Sequence, residues 1–335
     1  MKLNSDKIKE ISSGAVRVEE ENGKIGLYRF TKEQEELYKV TNQDFYEKTF
    51  CTSGIKLLFR TDSKKLFLKL TISKGSSRKY FSVDVAVDGK VIGHIDNLDG
   101  FSLPLEDVFC EYPQGEFLKE FQLGENTKTV CVHLPWSVKA EIDEISVDDG
   151  AFVEGIKREN ILLAYGDSIT HGYDAVRPSN RYIAKLADAL DAAEFNKAIG
   201  GEIFFPELAK LKDSFSPDYI TVAYGTNDWN TIDENAFKEN CKAFYENLRK
   251  NYPKSKIFAI TPIWRKDMHE QRKFGDFVKV EADIKDAVKE LENVTVISGF
   301  DFLPQDERFY ADKKLHPNDE GFEHYFKALY DKIAK

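Results

Sequence analysis

The first half of the chain alternates apolar and polar positions over short segments, a pattern typical of half-buried β-strands. Such segments fill residues 14–150 and are separated by turn-forming residues. Asn22-Gly23 and Asp88-Gly89 each lie between two of them, and these dipeptides favour the two-residue turn of a β-hairpin. Many short strands with turn signals between them predict an antiparallel β-sandwich of jelly-roll type. Residues 31–50 fit this pattern poorly and are compatible with a short helix.

From about residue 158 the pattern changes, and short apolar runs alternate with longer segments of helical periodicity. The last of these segments places Phe322, Phe326 and Leu329 on one face of a helix. The apolar runs are residues 161–165, 193–196, 219–224, 256–261 and 294–298. Five strands alternating with helices predict an α/β domain with a doubly wound parallel sheet. We therefore expect two domains, residues 1–155 and 156–335.

Composition narrows the possible partners and locations. The 335 residues carry a formal net charge of −10, which disfavours nucleic acid and anionic membranes as partners. The first ten residues lack the apolar core of a signal peptide, and no apolar run approaches a membrane span, so we expect a cytoplasmic protein. The four cysteines are scattered without metal-ligand spacing, which predicts reduced thiols and no zinc site. The oligomeric state is not predicted.

Polar or glycine-rich segments follow several of the predicted parallel strands. They are Gly166-Asp167-Ser168-Ile169-Thr170, Gly200-Gly201, Gly225-Thr226-Asn227-Asp228 and, after a longer loop, Leu315-His316-Pro317-Asn318. Each segment alone is compatible with a turn or a helix cap. In a doubly wound sheet, however, ligands bind beyond the carboxyl ends of the strands. We therefore expect the four segments to converge on one site.

Together these segments contain the groups that acyl transfer requires. Ser168 can act as nucleophile once a base removes its proton, and His316, with an ordinary pKa near 6.5, is a suitable base. The backbone N–H groups of Ser168 and Gly201 and the carboxamide of Asn227 can bind a developing oxyanion. His171 lies on the nucleophile's own turn, so we expect it to line the pocket or contact solvent. Neither a metal nor an organic cofactor is needed.

The four segments, in this order, resemble the signature blocks of the SGNH (GDSL) hydrolases over roughly residues 158–335. The resemblance implies a flavodoxin-like catalytic domain with Ser168 as nucleophile and His316 as base. It also implies an oxyanion hole formed by Ser168, Gly201 and Asn227, with Gly201 favoured over the preceding glycine.

The whole chain resembles carbohydrate esterases in which a jelly-roll sheet precedes the SGNH domain. The segments that carry this likeness are LLFRTDS (57–63), VDVAVDG (83–89), VHLPW (132–136) and TPIWR (261–265). The resemblance implies a serine esterase that removes O-acetyl groups from an oligosaccharide. Two alternatives remain open: a short-chain carboxylesterase, lipase or thioesterase of non-sugar esters, and a carbohydrate-binding protein with an inactive hydrolase domain.

The acid that orients His316 is less clearly indicated. The family usually places an aspartate three residues before its histidine, but that position is Lys313 here, and Asp312 lies one residue further back. Either a one-residue bulge brings Asp312 to the imidazole, or a backbone carbonyl holds the ring, as in the Ser-His dyads of some similar carbohydrate esterases. We favour Asp312, because a carboxylate stabilises the imidazolium better than a neutral carbonyl does.

Two tryptophans are candidates for substrate binding. Trp229 directly follows the third polar segment, and Trp264 follows the fourth predicted strand of the α/β half. An aromatic face at either position can stack on a sugar ring, although a large core residue is an equally good interpretation. Arg265, next to Trp264, is expected to be a solvated loop charge or a hydrogen-bond donor to substrate.

Overall fold

The structure, a computed structural model, describes residues 1–103, 105 and 108–334. Its first half is dominated by β-strands. They are β1 (Ser12–Ser13), β2 (Arg17–Glu21), β3 (Lys24–Tyr28), β4 (Lys56–Thr61), β5 (Lys65–Lys74), β6 (Ser82–Val87), β7 (Lys90–Asp96), β8 (Gly115–Gln122), β9 (Lys128–His133), β10 (Val138–Val147) and β11 (Val153–Gly155). We call residues 1–155 the β region.

The described strands of the β region form two antiparallel sheets. One has the order β1-β4-β9-β6-β7, with β11 also paired to β4, and the other has the order β2-β3-β10-β5-β8. Alternate residues of both sheets point into one shared apolar core, for example Phe59 and Val132 from the first sheet and Leu68 and Ile142 from the second. The predicted antiparallel β structure is confirmed, and its jelly-roll connectivity stays a prediction.

The two predicted hairpins are also confirmed. β2 pairs with β3 across Asn22-Gly23, and β6 pairs with β7 across Asp88-Gly89. All four turn residues have a positive φ, between 48° and 80°. Two consecutive residues of positive φ match the right-handed twist of the flanking strands, and asparagine, aspartate and glycine tolerate this conformation best.

Helices interrupt the β region at its start and at the segment that the strand pattern did not fit. They are α1 (Ser5–Ile11), α2 (Lys32–Thr41) and α3 (Gln43–Thr49). Thr31 and Gln34 form a reciprocal capping box at the start of α2, and the side chain of Asn42 caps α3. Residues 31–50 are therefore a pair of short helices rather than a single one.

The second half alternates strands and helices, as predicted. Its strands are β12 (Asn160–Gly166), β13 (Ala192–Asn196), β14 (Tyr219–Ala223), β15 (Lys256–Ile260) and β16 (Val294–Ile297). Its helices are α4 (Ser168–His171), α5 (Tyr182–Ala189), α6 (Pro206–Lys210), α7 (Thr226–Thr231), α8 (Glu234–Asn251), α9 (Lys279–Val288) and α10 (Asp319–Ile333). All five strands are parallel, in the order β13-β12-β14-β15-β16. Successive strands are added on one side of β12 with β13 and on the other side from β14 onward, so the strand order reverses between β12 and β14, where a doubly wound sheet binds its ligand.

The β region contributes side chains to both faces of the parallel sheet. Tyr80 and Trp136 belong to the apolar core on the face covered by α5 and α10. Phe30 and Tyr38 belong to the core on the opposite face, covered by α6, α8 and α9. The domain division after residue 155 stays a prediction, because apolar packing is continuous across it. Among the described residues, none of the helices combines the length and apolar character that a bilayer crossing needs.

Candidate active site

Ser168 lies at the turn between β12 and α4, directly beyond the carboxyl end of a central strand. The side chain of Asp167 caps the new helix by accepting a hydrogen bond from the Ile169 N–H at 2.9 Å. Gly166 is required here, because a Cβ at this position would collide with the side chain of Thr170. Ser168 is only 5% exposed, and its Oγ lies 2.8 Å from Nε2 of His316. The strand-to-helix turn thus presents the hydroxyl to a histidine 148 residues away in the sequence.

The loop before α10 holds His316 through Asp312. Oδ2 of Asp312 lies 2.8 Å from Nδ1 of His316. Oδ1 of the same carboxylate accepts three backbone N–H groups, from Lys314, Leu315 and His316, at 2.7–3.0 Å. Lys313 has a φ of 55°, so the additional residue between the acid and the histidine is accommodated by one left-handed step. The structure therefore contains the bulge that allows Asp312, rather than a carbonyl, to face the ring.

The ionisation of both groups follows from this contact. Burial alone would raise the pKa of Asp312, but the hydrogen bond and charge of His316 and the backbone N–H groups hold it well below its usual range. Burial alone would lower the pKa of His316, but the hydrogen bond to Asp312 and the negative charges of Asp174 and Asp312 raise it above its ordinary value. The site therefore favours a carboxylate facing a basic imidazole.

Besides Ser168, the candidate oxyanion donors lie on the loop after β13 and in the first turn of α7, which follows β14. The N–H of Gly200 donates to Nδ1 of His171 at 3.2 Å. No protein acceptor for the Gly201 N–H is found within the described ranges. Gly201 has a φ of 92°, a conformation that favours glycine. Nδ2 of Asn227 donates one of its two hydrogens to the Glu202 carbonyl at 3.0 Å, which leaves the second for a ligand.

Asp228 of α7 connects these two segments. Its carboxylate accepts the Phe204 N–H and the Gly225 N–H, both at 3.0 Å. Burial raises the pKa of this carboxyl to about 7. These contacts of Asp228 are thus to backbone, and they join the loop that carries Gly201 to the start of α7, which carries Asn227.

His171 differs from the expectation that it lines the pocket or contacts solvent. The ring is fully buried, with Nε2 2.9 Å from the carbonyl oxygen of Trp136 and Nδ1 accepting from Gly200. Burial lowers the pKa of His171 well below its ordinary value, so the ring is neutral and donates from Nε2. It connects the β region to the glycine loop and takes no part as a base.

Trp229 does not lie where a substrate can reach it, and its predicted role in binding is wrong. The side chain is fully buried, its Nε1 donates to the Gly275 carbonyl at 2.8 Å, and its ring packs edge-on against Phe277. The reason is helical geometry. Residues two apart on a helix point about 200° away from each other, so Trp229 on α7 faces opposite to Asn227.

Trp264 and Arg265, which the sequence also offered for substrate binding, have different surroundings. Trp264 is half-buried against Tyr310, with ring centroids 5.3 Å apart, and it stays a candidate for substrate contact. Arg265 is neither solvated nor directed at substrate. Its guanidinium is buried, pairs with Asp267 and donates to the Thr226 carbonyl at 2.9 Å, which supports the start of α7.

Two residues near His316 were not indicated by the sequence. Oδ2 of Asp174 lies 3.4 Å from Nδ1 of His316, and Asp174 forms a two-point ion pair with Arg78 of the β region. Asp174, Asp312 and His316 offer three potential metal-ligating atoms within 4.8 Å of one another. Their contacts with each other and with Arg78 explain their placement without an ion, so we assign no metal to them.

Comparison with known proteins identifies the fold of the domain that contains this site. Residues 164–324 match the model of the GDSL-like Lipase/Acylhydrolase family. The α/β domain has the GDSL-like hydrolase fold. The matched residues of this GDSL-like domain include Ser168, Gly201, Asn227 and His316 and leave out the β region. No curated protein sequence matches the chain significantly.

Solved structures extend the likeness to the β region. The salicylyl-acyltransferase SsfX3 from a tetracycline biosynthetic pathway is 21% identical, with a TM-score of 0.77 over 96% of this chain and 93% of its own. A protein from Bacteroides ovatus described as a GDSL-like lipase is 18% identical, with a TM-score of 0.77 over 100% of this chain and 97% of its own. A family two carbohydrate esterase from Clostridium thermocellum, solved with cellohexaose, is 16% identical, with a TM-score of 0.62 over 84% and 93%. At these identities the comparison establishes a shared fold, a β-rich region followed by a GDSL-like domain.

Proposed function

We propose that this protein is a serine esterase that removes O-acetyl groups from oligosaccharides. The observation that carries the proposal is the continuous row from Ser168 Oγ through the imidazole of His316 to the carboxylate of Asp312, with both contacts at 2.8 Å. The carboxylate of Asp312 accepts a hydrogen bond from the Nδ1–H, so the lone pair of Nε2 faces the serine hydroxyl. A hydroxyl in this position becomes a nucleophile when the ring accepts its proton.

The reaction then follows two acyl transfers. Ser168 Oγ attacks the ester carbonyl carbon while its proton passes to Nε2 of His316, and the carbonyl oxygen becomes an oxyanion. The N–H groups of Ser168 and Gly201 and the amide of Asn227 stabilise that charge, each donor contributing about 3 kcal/mol. When the C–O bond of the tetrahedral intermediate breaks, His316 returns the proton to the departing sugar hydroxyl. Water, deprotonated by the same ring, releases acetate and restores the serine.

Three observations favour an acetylated sugar as the substrate. The fold is shared with a carbohydrate esterase that was solved with cellohexaose. Trp264, on the loop after β15, places its half-buried indole next to Tyr310, and Tyr310 belongs to the loop that leads to His316. A sugar ring can stack on this indole. The same loop carries exposed Lys313 and Lys314, which suit a hydroxyl-rich ligand better than a long acyl chain.

The first prediction tests the nucleophile. Replacing Ser168 with alanine removes the attacking oxygen, so we expect hydrolysis of p-nitrophenyl acetate and acetate release from acetylated cello-, xylo- and manno-oligosaccharides to fall at least about 10³-fold. Ser216→Ala, at an exposed position, is the matched control and should retain full activity. Undiminished turnover by Ser168→Ala, or no turnover by the parent protein on any of these esters, contradicts the proposal.

A second candidate, acyl transfer to an alcohol other than water, is favoured by the extensive fold similarity to a salicylyl-acyltransferase. The two functions share the acyl-enzyme and differ in what attacks it. Adding sugar or aromatic alcohols to the ester assay separates them, because a transferase forms the new ester faster than it releases free acid. Oligosaccharide binding without any ester turnover would instead support a carbohydrate-binding protein.

A further inference from the structure

His316 faces two carboxylates rather than one. Asp312 lies 2.8 Å from Nδ1, and Oδ2 of Asp174 lies 3.4 Å from the same nitrogen. Asp312 is on the loop of His316 itself, whereas Asp174 is on the turn that follows α4. The carboxylate of Asp174 has no exposed surface, so its charge must be compensated by neighbouring groups.

Arg78 of the β region provides that compensation. Its Nε lies 2.6 Å from Oδ1 of Asp174 and its Nη2 lies 3.0 Å from Oδ2, a two-point pair of good geometry. The guanidinium is itself nearly buried, at 5% exposure, and its carbon lies 4.3 Å from the ring centre of Phe109 and 5.3 Å from that of Tyr173. Arg78 therefore has little freedom to leave Asp174.

The backbone around Asp174 shows that its position is specified. Asp174 has a φ of 69°, a left-handed conformation that is uncommon outside glycine. Gly172, two residues earlier, has a φ of 116°, and a Cβ there would collide with the side chain of Arg181. The carbonyl of Ala175 accepts the indole N–H of Trp136 at 2.8 Å. The residue directly after the carboxylate is thus fixed to the β region.

We propose that Arg78 and Asp174 are a positioning pair that orients His316 and balances the charge around it, so that the β region takes part in catalysis. The role in catalysis rests on the proposed function, whereas the electrostatic coupling does not. With His316 protonated, the four groups Arg78, Asp174, Asp312 and His316 carry no net charge. Removing either member of the pair shifts the pKa of the His316 imidazole, in a direction that depends on which charge is lost.

The groups that surround the ring determine those directions. They are Asp312, Lys313 and Lys314 of its own loop, Tyr173 and Asp174 of the turn after α4, Asp167 before α4, and Arg78 and Tyr80 of the β region. Lys314 is already paired with Asp267, and Lys313 is exposed. Without Arg78, the second carboxylate stabilises the imidazolium and leaves less free base. Without the charge of Asp174, Arg78 disfavours the imidazolium.

The second prediction follows from this opposition. In the 335-residue chain, the pKa of His316 is measured from its imidazole resonances in an NMR pH titration, assigned by comparison with His316→Gln. We expect Arg78→Gln to raise this pKa and Asp174→Asn to lower it, each by about one unit or more. The double substitution should return it close to the parent value, and Arg78→Lys should change it least. Arg60→Gln, an exposed arginine of the same region paired loosely with Glu154, is the matched control.

The outcome separates this proposal from a purely structural role. A structural role predicts that both single substitutions shift the pKa of His316 in the same direction. That result, or unchanged pKa values in folded variants, contradicts the proposed positioning pair. If Arg78→Gln fails to fold, the proposal is tested by comparing the pKa of His316 in Asp174→Asn with that in Arg78→Lys. An equal pKa in these two variants contradicts the proposal. Should the protein turn over esters, the acid limb of kcat/KM should shift in parallel. Should it turn over none, the titration still decides the coupling.

Discussion

At the scale of single residues, the orientation of His316 depends on how Asp312 closes its own loop. One oxygen of the carboxylate binds three consecutive backbone N–H groups, and the other faces the imidazole. The loop is thus folded around the side chain that orients the base. The left-handed step at Lys313 is what a spacing of four residues, rather than three, requires.

The third prediction concerns this acid. Asp312→Asn keeps the size of the side chain but removes the charge that stabilises the imidazolium and favours the reactive tautomer, so we expect kcat to fall about 10²–10⁴-fold. Activity should rise with pH through the pKa of His316, because the neutral ring is the base. Since Asp312 raises that pKa, the residual activity of the variant should rise at lower pH.

Esterase assays across pH 5–9 check this, with exposed Asp301→Asn as the control. A loss of less than about tenfold would show that the carboxylate is dispensable and that a Ser-His dyad is sufficient.

At the scale of elements, one buried carboxyl joins three segments next to the oxyanion loops. Glu202 accepts the hydroxyl of Tyr38 from α2 at 2.5 Å and that of Tyr224, which follows β14, at 2.6 Å. Its backbone carbonyl accepts the amide of Asn227. Burial raises the pKa of Glu202 to about 8, so the group is mostly protonated at neutral pH. A neutral acid at this position holds α2 against the loop that carries Gly201.

The fourth prediction follows from that raised pKa. Between the unfolded pKa of glutamate, about 4.3, and the folded value of about 8, the folded state binds more protons than the unfolded state. The contribution of Glu202 to stability is therefore lost as pH rises through this interval. Glu202→Gln is neutral throughout, so its melting temperature relative to the parent should increase from pH 5 to pH 8.

Thermal unfolding at each pH checks this, with the exposed Glu207→Gln as the control. Parallel curves for Glu202→Gln and the parent would show that the buried group does not titrate in this range.

Much of the fold and part of the site could be predicted from the sequence. The strand runs and the segments that follow them locate Ser168 and His316, because parallel strands bring their carboxyl ends to one edge. Arg78 and Tyr38 could not be found in this way. They meet their partners across 96 and 164 residues, and no local pattern reports such a contact. The error at Trp229 had a local signal, since its spacing from Asn227 places the two on opposite sides of α7.

At the scale of the whole molecule, the β region holds a catalytic loop in place through direct hydrogen bonds. Arg29 is fully buried and donates to four carbonyl oxygens. They belong to Lys48 and Cys51 of the β region and to Asn196 and Ala198, which lead into the glycine loop. With the apolar residues that the β region contributes to both faces of the parallel sheet, this makes the GDSL-like domain incomplete by itself.

The fifth prediction is that residues 156–335 do not fold alone. Deleting the β region exposes apolar surface on both faces of the sheet and leaves the carbonyls of Asn196 and Ala198 without Arg29, at about 1–3 kcal/mol for each group that stays buried and unpaired. We expect an aggregated product without cooperative unfolding, judged by circular dichroism and gel filtration beside the 335-residue chain. A monomeric fragment that unfolds cooperatively and hydrolyses p-nitrophenyl acetate would contradict this.

The ion pair between Arg78 and Asp174 has a consequence for how the two positions evolve. One member is encoded in the segment that the family model leaves out and the other in the segment that it covers. A recombination event between these segments would separate a buried arginine from its only two-point carboxylate partner in the described structure. Relatives that exchange one residue of the pair should therefore exchange the other as well, and chimeras joined near residue 155 should be assembled from parents that share both.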